Sequence, residues 1–176
     1  MLALTLTVAL AAAGCAAGAP HERDPATGIR QSASPAPGRP QPTATALARL
    51  RGQHRLTLTI TAAERDPSGF LTLRGELHNE GDDTAVVPAE LRGNEDTVLR
   101  NGQSLGGATL VDFTHSKRYY VLRDSDGRPL TTTGLKTLTA GERVRVFMQF
   151  PDPPASTTEV DFQLPQFDTA TLRISP

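Results

Sequence analysis

Leu56-Thr57-Leu58-Thr59-Ile60-Thr61-Ala62-Ala63-Glu64-Arg65-Asp66-Pro67-Ser68-Gly69-Phe70-Leu71-Thr72-Leu73-Arg74-Gly75-Glu76-Leu77-His78-Asn79 is the stretch that decides the fold. Leu56, Leu58, Ile60 and Ala62 fall on one side of an extended chain, and Thr57, Thr59 and Thr61 on the other. Period two with β-branched residues on the wetter face predicts a half-buried strand. Asp66-Pro67-Ser68-Gly69 is turn chemistry, and Leu71, Leu73, Gly75 and Leu77 alternate again in a second strand.

The same texture continues towards the C-terminus. Asn79 to Asp83 predicts a turn, and Thr84–Val87 opens a third strand. Periodicity fades between Pro88 and Gly107. It returns at Ala108–Thr114 and Arg118–Arg123, with Asp124-Ser125-Asp126-Gly127 as a tight turn. Leu138-Thr139-Ala140-Gly141-Glu142 is a corner that feeds the cleanest strand, with Val144, Val146, Met148 and Phe150 inward and Arg143, Arg145 and Gln149 outward. Val160, Phe162 and Leu164 make the next strand, and Ala170, Leu172 and Ile174 the last. About seven or eight short strands without a convincing helix predict an all-β fold, an antiparallel β-sandwich over residues 55–176.

The N-terminal third reads differently. Residues 15–54 are rich in Pro, Ala and Ser, with Pro20, Pro25, Pro35, Pro37, Pro40 and Pro42 removing backbone donors and favouring extended chain. Few large apolar residues are present to offset the entropy of ordering, so a disordered tether is expected, with a reach of about 35 Å. Leu47 and Leu50, three apart, predict at most a short helix over 45–51. Upstream, Leu2 to Gly14 is an uncharged apolar run, shorter than a bilayer-spanning helix, that ends at Cys15, the single cysteine. It has the dimensions of a signal-peptide core closing on small residues, although no Lys or Arg precedes Cys15.

Leu10-Ala11-Ala12-Ala13-Gly14-Cys15 resembles the lipobox of bacterial lipoproteins. That resemblance implies that residues 1–14 are removed, that Cys15 becomes a diacylated first residue, and that the membrane is a partner through its lipid. A lone cysteine in an exported chain has no internal disulfide to form, and lipidation gives it a use. Two acyl chains hold durably where one does not.

Asn79-Glu80-Gly81-Asp82 at one strand end, Leu122 to Gly127 at another, the Gly141-Glu142 corner and the Phe150-Pro151 strand end carry a second likeness. Together they resemble small immunoglobulin-like domains of bacterial extracytoplasmic lipoproteins, the group that includes mycobacterial secreted antigens. They are also similar to the domain preceding OmpA-like modules in some actinobacterial proteins. The resemblance covers Arg55 to Pro176, implies a fold and a location, and brings no catalytic residues. Lysine is confined to Lys117 and Lys136 while arginine abounds, a bias of high-GC genomes.

Composition removes several function classes. Across 176 residues the net charge is −1, which supplies no basic field for nucleic acid, and tryptophan is absent, which argues against a stacking platform. Gly102-Gln103-Ser104-Leu105-Gly106 spells a G-x-S-x-G, but its flanks are irregular and a strand follows it, so it reads as a glycine-rich loop. Asp112 and His115 lie too close together to be delivered by separate strands to Ser104. No nucleophile, base and orienting group fall together, so an enzyme is not expected, and no cofactor is implied.

Weaker candidates remain. His78 and His115 sit near strand ends and, with the acidic turn residues Asp124 and Asp126, form a conceivable ligand or metal set; the plainer reading is exposed strand histidines and a hairpin turn. Lys117, Arg118 and Tyr119, in the run His115 to Tyr120, make the one basic-aromatic cluster, a patch for an envelope protein or polymer. Strand alternation with Tyr120 and Leu122 inward produces the same pattern without a ligand. The sequence thus reads as a lipid-anchored extracytoplasmic binding module, with a metal or small-ligand carrier, or an accessory subunit of an envelope enzyme or transporter, as alternatives.

Overall fold

The computed structural model describes residues 45–96 and 100–175, and its first strand is already in what reads as tether. Strand β1 (Ala48–Arg51) pairs antiparallel with β2 (Leu56–Asp66), Leu50 opposite Leu58. Leu50 is 1% exposed, and Arg49 and Arg51 face water. The short helix expected over 45–51 is therefore a strand, and the folded domain begins before residue 55. Leu47 and Leu50 are not helical neighbours: Leu50 enters the core while Leu47 stays exposed.

Strand β2 turns at Asp66–Gly69 into β3 (Phe70–Asn79). Asp66 accepts the Ser68 N–H at 2.7 Å, the local bond that makes aspartate a turn residue. The alternation of β2 is broken once. Ile60 pairs with Gly75 and Ala62 with Arg74, which leaves Thr61 as a bulge. The face therefore changes, and Ala63, not Ala62, is buried. Gly75 is required here, since a Cβ on it would lie 2.3 Å from the Thr59 carbonyl oxygen.

A two-residue strand β4 (Ala85–Val86) and a 3-10 turn at Ala89–Arg92 lead to β5 (Thr109–Asp112) and β6 (Lys117–Tyr120). Strands β7 (Thr137–Leu138), β8 (Arg143–Pro151), β9 (Glu159–Gln163) and β10 (Ala170–Arg173) complete the chain. One sheet has the order β1-β2-β3-β8, the facing one β10-β9-β5-β6, and β4 pairs with β7. The outer edge of β8 is bonded by the segment 130–132, through Gln149 N–H to Leu130 O and Thr132 N–H to Phe147 O. Taken as A, B, E and D, β2, β3, β8 and that segment face β10, β9, β5 and β6 as G, F, C and C′. This is the immunoglobulin-like order. The sandwich is all-β and antiparallel, as the alternation predicts.

The core lies between the two sheets. Leu58, Ile60, Leu71, Leu73, Leu77, Met148 and Phe150 from one meet Leu110, Val160, Phe162 and Leu172 from the other. Each fully buried side chain of this kind contributes about 1.5–3 kcal/mol. The inward set of β8 is the one its alternation predicts. In β6 the reading is reversed: Tyr119 faces Leu110 across the ladder and shares its inward side, while Tyr120 points out, 55% exposed.

Candidate functional site

A concavity of ligand size lies on the outer face of the β10-β9-β5-β6 sheet. Its floor is Gly106-Gly107 and Thr109. One wall is the 3-10 segment carrying Glu90 and Arg92 with Glu95 just after it, the other is Pro165-Gln166, and Tyr120 also lines it. The volume is about 530 Å³. A second hollow of about 480 Å³ shares Gly107, Thr109, Pro165 and Gln166 with it and continues past Arg118 and Gln163 to Phe167 and Thr169. Together they form one elongated cleft.

Glycine makes this floor. Gly107 donates to Leu91 O at 2.8 Å, and a Cβ on Gly107 would lie 2.7 Å from the Gly93 nitrogen. The chain thus crosses itself with no side chain between, and Gly107 stays half-buried at the base of the cleft. Arg118 donates to Thr109 Oγ1 at 3.2 Å and Gln163 Oε1 at 3.0 Å, which fixes its guanidinium along the second half. Arg92 carries a buried Nε without a hydrogen-bond partner among the described residues. The cleft combines an aromatic side chain, two cations, two carboxylates and the half-buried backbone of Gly107. It contains no histidine or cysteine.

A second cluster forms at the far end of β5. Asp112 is 1% exposed; its Oδ1 accepts the His115 backbone N–H at 3.1 Å, and its Oδ2 accepts His115 Nδ1 and Thr157 Oγ1, each at 2.7 Å. Burial pushes the Asp112 carboxyl up, but the bonds from Thr157 and His115 outweigh it and hold the carboxyl at about 2. With Nδ1 engaged, His115 presents Nε2 to Ser156 Oγ at 3.5 Å. The loop bearing Ser156 is clamped by Arg65, which pairs with Asp152 and donates to the carbonyls of Pro153 (2.6 Å), Pro154 (3.2 Å) and Thr157 (2.7 Å).

The sequence-predicted residues separate as follows. Arg118 lines the cleft, Lys117 is exposed beyond it, and Tyr119 turns inward with a buried, unpartnered hydroxyl whose pKa burial raises. Tyr120 takes the outward place, because the register with β5 sets the face. His78 pairs with Glu80 at 3.5 Å, and His115 with Asp112, so the two histidines hold different partners. Asp124 accepts the N–H groups of Asp126 (2.9 Å) and Arg128 (2.8 Å), and Arg128 closes on Asp126 at 3.2 Å. That is a self-satisfied turn. Among the described residues no three His, Cys, Asp or Glu side chains converge as a metal set. Ser104 is buried and accepts the Gly106 N–H at 3.2 Å, a loop serine. Cys15 and residues 1–44 lie outside the described residues.

Sequence reasoning missed Arg92, Gly107, Gln166, Ser156 and Thr157. The glycine pair was visible as loop, but nothing local says that residues 92, 107 and 166 meet. It also separated Asp112 and His115 from any usable hydroxyl, whereas the fold brings Ser156, 41 positions away from His115, to them.

No family model matches the chain, and no curated protein matches it. Among solved structures, a functionally unknown protein from Listeria monocytogenes EGD-e is similar at 14% identity and a TM-score of 0.40, covering 73% of this chain and 83% of that one.

Proposed function

We propose that the protein is a lipid-anchored lipoprotein of the cell envelope whose sandwich binds a ligand in the cleft over β5. Three features support the reading. The stretch Leu10 to Cys15 has the form of a lipidation signal, the Pro-rich segment after it suits a spacer, and the sandwich carries a groove of ligand size. The groove is the observation that carries it. Its chemistry fits holding rather than transforming: Tyr120 offers a ring face, Arg92 and Arg118 offer donors, and the half-buried Gly107 lets a ligand approach backbone. The envelope polymer class with both apolar methyl groups and amides to match this lining is peptidoglycan.

The test is a titration of the lipid-free full-length chain with soluble peptidoglycan fragments, followed by amide NMR. The expected result is a joint shift of Gly106, Gly107, Thr109 and Gln166, with affinity falling about tenfold in Tyr120→Ala, the scale of one lost aromatic contact. Shifts scattered over the surface, or none, contradict the cleft as the site.

A further inference from the structure

The cluster at the far end of β5 goes beyond the binding reading and stands independently of it. Asp112, His115 and Ser156 are connected in sequence acid–imidazole–hydroxyl: 2.7 Å from Oδ2 to Nδ1, then 3.5 Å from Nε2 to Oγ. This is the arrangement in which a buried acid orients an imidazole, and the imidazole faces a hydroxyl it can deprotonate. A nucleophile–base distance somewhat longer than a closed hydrogen bond is usual before substrate arrives.

Three further observations favour a built site over a chance meeting. Asp112 is held ionised and dry, with Thr157 Oγ1 taking up its second bond to Oδ2. The Ser156 loop is fixed from the opposite sheet by Arg65 and from its own side by the Thr157 N–H to Pro154 O bond of 2.8 Å. Ser156 itself is exposed, and its backbone N–H donates to none of the described residues, which leaves a donor beside the hydroxyl for a developing oxyanion.

We infer that Asp112, His115 and Ser156 form an acyl-transfer centre acting on small carboxylic esters at the open end of the sandwich. Ser156 Oγ attacks the ester carbonyl carbon while His115 Nε2 takes the hydroxyl proton. The C–O bond to the leaving alkoxide then breaks, and Nε2–H protonates that alkoxide, leaving an acyl-Ser156 ester and a free alcohol. Water attacks the acyl carbon, giving a proton to Nε2. The Oγ–acyl bond breaks, the proton returns to Oγ, and a carboxylic acid leaves. Asp112 stays a carboxylate throughout and acts as a positioning residue. The site is open, so small, unhindered acyl groups suit it.

The test uses the purified full-length chain and a fluorophosphonate probe, read by intact mass and by the peptide that carries the adduct. The expected result is one adduct per chain, on Ser156. Ser156→Ala gives none, Ser104→Ala labels like wild type, and His115→Gln labels about a hundredfold more slowly, as loss of a general base requires. Both Ser156 and His115 are exposed, so these variants keep the fold, and circular dichroism checks that. No adduct, an adduct on another residue, or a His115→Gln rate equal to wild type overturns the proposal.

Discussion

Asn79 shows how much a single side chain does at a strand end. It is fully buried, its Nδ2 lies within 2.7 Å of Asp83 O and 3.0 Å of both Leu138 O and Thr139 O, and its Oδ1 accepts the Gly81 N–H at 2.9 Å. The Asn-x-Gly-Asp motif is thus a device that joins two turns, with no ligand needed to explain it. Glu142 does the same at the facing corner, accepting the Thr139 N–H at 2.7 Å and its hydroxyl at 2.9 Å. Such motifs are legible in sequence because each is mostly local. Asp112 is the opposite case: its bond to the His115 N–H is local, but Thr157 comes from a distant loop. Because its folded pKa of about 2 lies below the ordinary carboxylate value of 3.8, its contribution is fully present above about pH 4 and is lost as pH falls through 2. Urea unfolding of wild type and Asp112→Asn from pH 7 to pH 2 is expected to show a constant difference in midpoint down to about pH 5 that closes towards pH 2. A difference independent of pH contradicts the assignment.

At the scale of elements, alternation located most strands, and register decided which face each residue takes. The β2–β3 hairpin and β8 were readable because apolar residues repeat every second position from Leu56 to Ile60, from Leu71 to Leu77 and from Val144 to Phe150, within strands long enough to show it. Three things were not. The Thr61 bulge moves the buried place from Ala62 to Ala63, and alternation carries no sign of it except the glycine opposite. In β6, four residues are too few for their own pattern to say which tyrosine goes in, so pairing with Leu110 decides. In β1, Leu50 needs β2 beside it before it reads as core. The bulge supplies a test at this scale. Gly75→Ala sets a methyl against the Thr59 carbonyl, which must move, and is expected to cost about 2–3 kcal/mol by urea midpoint. A loss under about 0.5 kcal/mol contradicts the close approach.

For the whole molecule, the sandwich follows from the spacing of strands and turns, but its two candidate sites do not. The cleft is assembled from the 3-10 segment, the glycine pair and the loop after β9, and the Ser156 cluster from the tip of the β5–β6 hairpin and the loop after β8. Each joins pieces far apart in the chain, and contacts of that kind leave no local period. Arg118 was the one predicted residue found in the cleft, picked out by its charge beside tyrosines. The central claim concerns the molecule as a whole: a sandwich held at a membrane by Cys15. The most direct measurement is intact mass and detergent partitioning of the protein from its native membrane, wild type beside Cys15→Ala. The account predicts a wild-type chain beginning at Cys15 with added diacylglyceryl mass in the detergent phase, and a Cys15→Ala chain that loses the lipid and moves to the aqueous phase. A wild-type chain without lipid mass, partitioning like the variant, contradicts it.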